Sequence, residues 1–228
     1  MHFLLLGLVL IGLVFGPGLW VRRVLATYSE PADRYASTGG ELARHLLDRH
    51  GMPEVRVESS DTGDHYDPSA KAVRLTPDKY NGRSLTAIAV AAHEVGHAIQ
   101  DRTGYRPLQL RHRLVRSFRL VERLGAGLLL ISPFAGAFTR VPMVGIFMFL
   151  GGLLTLGTST LVHLVTLPTE FDASFGRALP MLDEHRILKP VDRPHARRLL
   201  RAAALTYVAA SLMSLLNIGR WWAILRRS

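Results

Sequence analysis

His93-Glu94-Val95-Gly96-His97 is the stretch of this chain whose residue types and spacing point to chemistry. On an α-helix, residues four apart project from one face, so the imidazoles of His93 and His97 converge on one point. Two convergent imidazoles are the beginning of a transition-metal site, and zinc suits them well. Glu94 lies about 100° further round the axis, at the edge of the site, where a base can take a proton from a water on the metal. The flanks, Val90-Ala91-Ala92 and Ala98-Ile99, are small, uncharged and compatible with a helix.

Hydrolytic zinc needs three protein ligands and one open position. The chain has no cysteine, so the third ligand is a histidine or a carboxylate. The same absence excludes iron–sulfur clusters, Cys-based zinc fingers and disulfide scaffolds. A third histidine just downstream fails, because Gln100 and Thr103 stand where Gly and His would be needed. Two carboxylates remain: Glu122, set among arginines, and Glu170 in Leu167-Pro168-Thr169-Glu170-Phe171-Asp172-Ala173-Ser174. Glu170 is the better candidate, since it follows directly on a long uncharged run, where a charge is costly unless partnered. Asp172 is either an acceptor for a ligating imidazole or a helix N-terminal charge. His65, Tyr66 and Tyr207 are three candidates for stabilising an oxyanion, and the sequence does not choose among them. His163 reads as a hydrogen-bond donor between helices, and His2, His45, His50, His112, His185 and His195 as ordinary surface or packing residues.

The elements that must position these groups follow from periodicity. A helix from about Ser84, as N-cap, to Gln100 carries the His-Glu-x-x-His segment. Residues 38–51 form another, with Gly51 as its stop. Val55–Glu58 and Lys71–Thr76 alternate like strands, and Asp67-Pro68-Ser69 between them is turn chemistry, giving a hairpin or small sheet. Lys71–Thr76 is either an edge strand able to pair with an extended substrate or a plain structural strand. Residues 106–123 interleave six arginines with apolar side chains, a pattern suited to an anionic membrane surface.

Over the whole chain of 228 residues, 48% are hydrophobic, 20% are charged, and the formal net charge is +10. With a mean hydropathy of +0.17, this composition excludes disorder and is unusual for a soluble globule. Residues 3–21, 124–139, 141–169 and 202–219 carry no charge and approach the length of membrane crossings. Four crossings would put 24 of the 28 Lys and Arg on one side, which the positive-inside rule makes cytoplasmic. The expected fold is therefore a mainly α integral membrane protein, with about four transmembrane helices and a small α+β cytoplasmic domain. Its divisions would be an N-terminal anchor (1–21), a cytoplasmic domain with the HExxH helix (22–123), a transmembrane hairpin (124–167), a cytoplasmic segment with Glu170 (168–201), and a C-terminal transmembrane helix and tail (202–228).

Several motifs together resemble the YugP-like bacterial membrane zinc metallopeptidases, nearly end to end. They are Gly39-Gly40-Glu41-Leu42-Ala43-Arg44, Asp64-His65-Tyr66-Asp67-Pro68, Ala89–Gln100 around the HExxH, Pro168–Ser174, and Ala204-Leu205-Thr206-Tyr207-Val208-Ala209-Ala210. The Glu170 segment is also similar to that of the CAAX prenyl and heat-shock membrane proteases, which take their third zinc ligand there. The resemblance implies a zinc endopeptidase at the cell membrane, with His93, His97 and Glu170 on Zn2+ and Glu94 as general base. The implied partners are a protein or peptide substrate, drawn from membrane or membrane-associated proteins, and an anionic lipid bilayer, with no nucleic acid. The rival readings are an intramembrane protease, a non-enzymatic zinc-stabilised scaffold, and a lipid- or nucleic-acid-binding module built on 106–123.

Overall fold

The computed structural model describes residues 2–111, 113–114, 131, 134, 138 and 142–215. Helix α1 (His2–Thr27) leads into α2 (Gly39–Arg49), strands β1 (Arg56–Ser59), β2 (His65–Asp67) and β3 (Ala72–Leu75), and the short α3 (Pro77–Tyr80). Then follow α4 (Leu85–Arg102), α5 (Pro142–Phe171), a π-helical stretch (Asp172–Ala178), α6 (Leu179–Glu184), a 3-10 turn (Pro190–Asp192) and α7 (Arg193–Leu215). A mainly helical chain with a small sheet is thus what forms.

Local chemistry sets the two helices that frame the site. Thr38 and Glu41 close a capping box on α2, with the Thr38 amide donating to Glu41 Oε2 at 2.8 Å and the Glu41 amide to Thr38 Oγ1 at 3.1 Å. Leu42, Ala43, Leu46 and Leu47 on one face of α2 are buried and pack against α4. The helix stops where expected, at Gly51, whose φ of +64 suits glycine. Ser84 caps α4, its hydroxyl accepting from the Ala87 amide at 3.1 Å. From Leu85 to Ala98 every residue of α4 is buried, so this helix is the core of the molecule.

The sheet corrects one expectation. Its order is β1-β3-β2, with β3 parallel to β1 and antiparallel to β2. The turn chemistry at Asp67 does make a hairpin, with Asp67 Oδ1 accepting from the Ser69 and Ala70 amides at 2.9 and 3.1 Å. The strand before that turn is β2, however, and Val55–Glu58 pairs with Lys71–Thr76 from the other side. β3 is therefore central, its backbone taken by neighbours on both flanks, and cannot offer a free edge to a substrate.

A second correction concerns the membrane crossings. Among the described residues, no helix is long and apolar enough to cross a membrane, against the four expected. An uncharged run in the sequence is not a whole apolar helix. The first run continues in α1 through Arg22 and Arg23, and Val21 and Val24 at that end are buried in the core. α5 ends in Pro168 and in buried polar groups, Thr166, Thr169 and Glu170. α7 begins with Arg193, Arg197, Arg198 and Arg201, and its Ala196, Leu199, Leu200 and Ala202 belong to the core. Most of 124–139 lies outside the described residues. The multi-pass, cytoplasm-facing arrangement rested on counting four spans and loses that basis.

Candidate metal centre

Helix α4 supplies His93, Glu94 and His97, and the C-terminal end of α5 brings Glu170 against them. All four are buried. The ligand atoms of His93, His97 and Glu170 all lie within 4.8 Å of one another, forming the group of His and carboxylate side chains among the described residues that could hold a metal ion. Glu170 Oε2 stands 3.3 Å from His93 Nε2 and 3.3 Å from His97 Nε2. Two ligands about 2.0–2.1 Å from a tetrahedral zinc are about 3.3 Å apart, so the spacing matches such a site. Glu170 Oε2 is itself buried with no hydrogen-bond partner among the described residues. A buried carboxylate oxygen left in this state needs a cation. The donor set and the orphaned oxygen therefore fit zinc.

The far sides of the imidazoles are fixed. His93 Nδ1 lies 3.0 Å from Ser174 Oγ, whose own hydrogen goes to the Leu200 carbonyl at 3.0 Å. Ser174 is thus the acceptor there, and His93 carries its proton on Nδ1 with Nε2 free. His97 Nδ1 lies 2.9 Å from Gln100 Oε1. The Gln100 amide is held in that orientation because its Nε2 donates to the Thr169 carbonyl and to Asp172 Oδ2, both at 2.8 Å. Both histidines so present a lone pair to the point they share with Glu170.

The electrostatics agree. Burial works to raise the Glu170 carboxyl, but the two imidazoles, when protonated, outweigh it and hold the group well below the usual carboxylate range. Burial pushes the Glu94 carboxyl up, opposed by the charge of His93 and His97 when they are protonated. A carboxylate raised by burial beside a cation site has the character of a general base.

The model of a family described as "putative neutral zinc metallopeptidase" matches residues 3–226. The chain belongs to that family. A relative from Bacillus subtilis (strain 168), named "Putative membrane protease YugP", is 34% identical over 223 residues, covering 97% of this chain and 95% of the relative. No solved structure matches. As a zinc metallopeptidase the chain is a hydrolase of protein or peptide, with zinc as its cofactor.

Of the other residues singled out in the metallopeptidase's sequence, those that are described find their hydrogen-bond partners away from the three ligands. Tyr66 donates to Asp101 Oδ2 at 2.8 Å, and burial, reinforced by that bond, raises its hydroxyl well above its ordinary value. His65 Nδ1 lies 3.0 Å from the Gly63 carbonyl. The side chains of Tyr207 and His163, and the whole of Glu122, lie outside what is described. Asp172 reaches His97 only through Gln100, and not by direct contact with an imidazole. His45 and His50 pack edge-on against His185, and His195 pairs with the Tyr28 hydroxyl at 3.0 Å.

Three residues at the site went unassigned by sequence. Gln100 was legible as the i+3 neighbour of His97 on its own helix face. Ser174 lies four residues beyond Glu170. Arg111 has no local signal: it belongs to the basic stretch assigned to lipid, yet its Nη1 donates to Glu170 Oε1 at 3.0 Å.

Proposed function

We propose that the chain is a membrane-associated zinc endopeptidase in which His93, His97 and Glu170 hold the metal and Glu94 is the general base. The observation that carries this reading is the convergence of two Nε2 atoms on the orphaned Glu170 Oε2. A zinc ion bound there acts as a Lewis acid and activates water at neutral pH. The remaining work falls to the chain. Ser174 and Gln100 hold the imidazoles in the required tautomer, and burial excludes bulk water from α4. Glu94 accepts a proton from the attacking water and delivers it to the leaving amine nitrogen as the peptide bond breaks.

Membrane association is supported by the name of the Bacillus relative, "Putative membrane protease YugP", and by the exposed apolar side chains Met143, Ile146, Phe147, Phe149 and Leu150 on α5. The stretch 106–123, with its arginines, suits anionic lipid. On this reading the substrates are membrane or membrane-associated proteins, and the metallopeptidase unit is drawn from residues 22–123 and 168–201.

The test compares the full-length chain with Glu94→Gln and Glu170→Ala. The wild type is expected to carry one zinc and to cleave casein or a membrane-derived peptide. Glu94→Gln should keep its zinc and lose cleavage by about 10²–10⁴-fold, whereas Glu170→Ala should lose both. Cleavage that survives Glu94→Gln would refute the mechanism, and full zinc occupancy in Glu170→Ala would move the third ligand elsewhere.

A further inference from the structure

The two oxygens of Glu170 face different partners. Oε2 lies between the imidazoles and accepts no hydrogen bond among the described residues, while Oε1 takes a charge-assisted bond from Arg111 Nη1 at 3.0 Å. The Glu170 side chain has no solvent exposure and that of Arg111 is 16% exposed, so the pair is well shielded from water. Arg111 arrives from the helical stretch 106–111, anchored beside it by the buried Leu108. Nothing in the HExxH pattern requires this arginine.

Resting on the assignment of Glu170 as a metal ligand, we infer that Arg111 is a positioning residue that holds Glu170 by Oε1 and so confines it to one-oxygen binding through Oε2. Three ligand atoms then leave the fourth position open, as a hydrolytic site requires. Without the arginine, Oε1 is free to swing onto the metal and fill that position. The same bond has a role before metal arrives. A buried carboxylate without a cation is strongly destabilising, and Arg111 is the cation that bonds it, so the site is assembled in the metal-free protein. Bound metal takes over part of that compensation, which gives the arginine a larger effect on the metal-free form than on the loaded one.

The experiment uses the full-length chain, stripped with a chelator and reloaded with Co2+, in wild-type form and as Arg111→Gln and Arg111→Lys. Two readouts are taken: the melting temperature of metal-free and loaded protein, and the visible absorption of Co2+, which is intense with four ligands and several-fold weaker with five. Arg111→Gln is expected to lower the melting temperature of the metal-free protein on the order of 5–10 °C. The loaded protein should fall by less than half as much, and the cobalt band should weaken. Because a single nitrogen makes the contact, Arg111→Lys should restore part of both.

Equal losses of melting temperature in the two forms with an unchanged cobalt band would reduce Arg111 to a structural residue and overturn the inference. No change in either readout would overturn it as well. If Arg111→Gln does not fold, Arg111→Lys decides by the same comparison: a weakened band and a larger loss in the metal-free form support the inference, and wild-type behaviour in both readouts overturns it. A wild-type chain that takes up no cobalt would instead remove the metal-site reading on which the inference rests.

Discussion

At the scale of single residues, the site depends on side chains that touch no metal. Gln100 makes three hydrogen bonds, accepting from His97 and donating to the Thr169 carbonyl and to Asp172. It is fully buried, so each bond lost leaves a desolvated partner. Arg177 Nε continues the line, donating to Asp172 Oδ2 at 2.8 Å. Replacing Gln100 with Leu retains bulk but removes the acceptor that keeps the His97 proton on Nδ1. Zinc affinity should fall about 10–100-fold, the usual consequence of losing a group that orients a ligand. Titration against a chelator of known affinity measures this, and an unchanged dissociation constant would show that His97 is oriented by its packing alone. The predicted histidines were legible because helical spacing forces His93 and His97 together; the same spacing places Gln100 beside His97, but what holds its amide in orientation appears only once Thr169 and Asp172 are seen beside it.

At the scale of elements, the decisive contact is between α4 and the π-helical stretch that follows Glu170. A Cβ on Gly96 would sit 2.7 Å from the Ala173 carbonyl oxygen and 3.3 Å from the Ala173 Cα. Those are backbone atoms, so they cannot turn aside as a side chain would. Glycine between Val95 and His97 is thus what lets the two elements approach closely enough for Ser174 to meet His93. Gly96→Ala should cost about 1–3 kcal/mol of stability through overpacking. It should also weaken zinc binding, since the displaced stretch carries Ser174 and adjoins Glu170. Denaturant unfolding of metal-free protein together with a zinc titration tests both, and wild-type values in each would mean the approach is looser than described. Element by element, α2 and α4 were readable from their caps and apolar faces. The order β1-β3-β2 was not, because strand periodicity reports alternation and carries no information about which neighbour a strand chooses.

At the scale of the whole molecule, three of the uncharged runs lie in described helices, α1, α5 and α7. Their uncharged residues continue into segments that carry arginines, proline or the buried metal-site carboxylate, so part of each helix is committed to the core around α4. Long-range closure comes instead from a polar cluster. Asp192, buried in the 3-10 turn just before α7, accepts from Arg34 Nε at 2.7 Å, again from Arg34 Nη2, and from the Tyr35 hydroxyl at 2.7 Å, joining the segment after α1 to the start of the last helix. The bond from Arg34 outweighs burial and holds the Asp192 carboxyl below its ordinary range. A depressed carboxyl contributes stability that is fully present above its unfolded value, about 3.9, and is lost as pH falls through the folded value. Asp192→Asn should therefore cost on the order of 2 kcal/mol at pH 7, at the low end for a buried pair because Arg34 is partly exposed. The gap between variant and wild type should narrow as the pH drops below about 4, where the unfolded chain's carboxyl takes up its proton, and close once the depressed folded carboxyl is protonated as well. Denaturant unfolding at a series of pH values reads this directly. A gap of constant size across that range would mean that the charge of Asp192 contributes nothing and that only its shape is used.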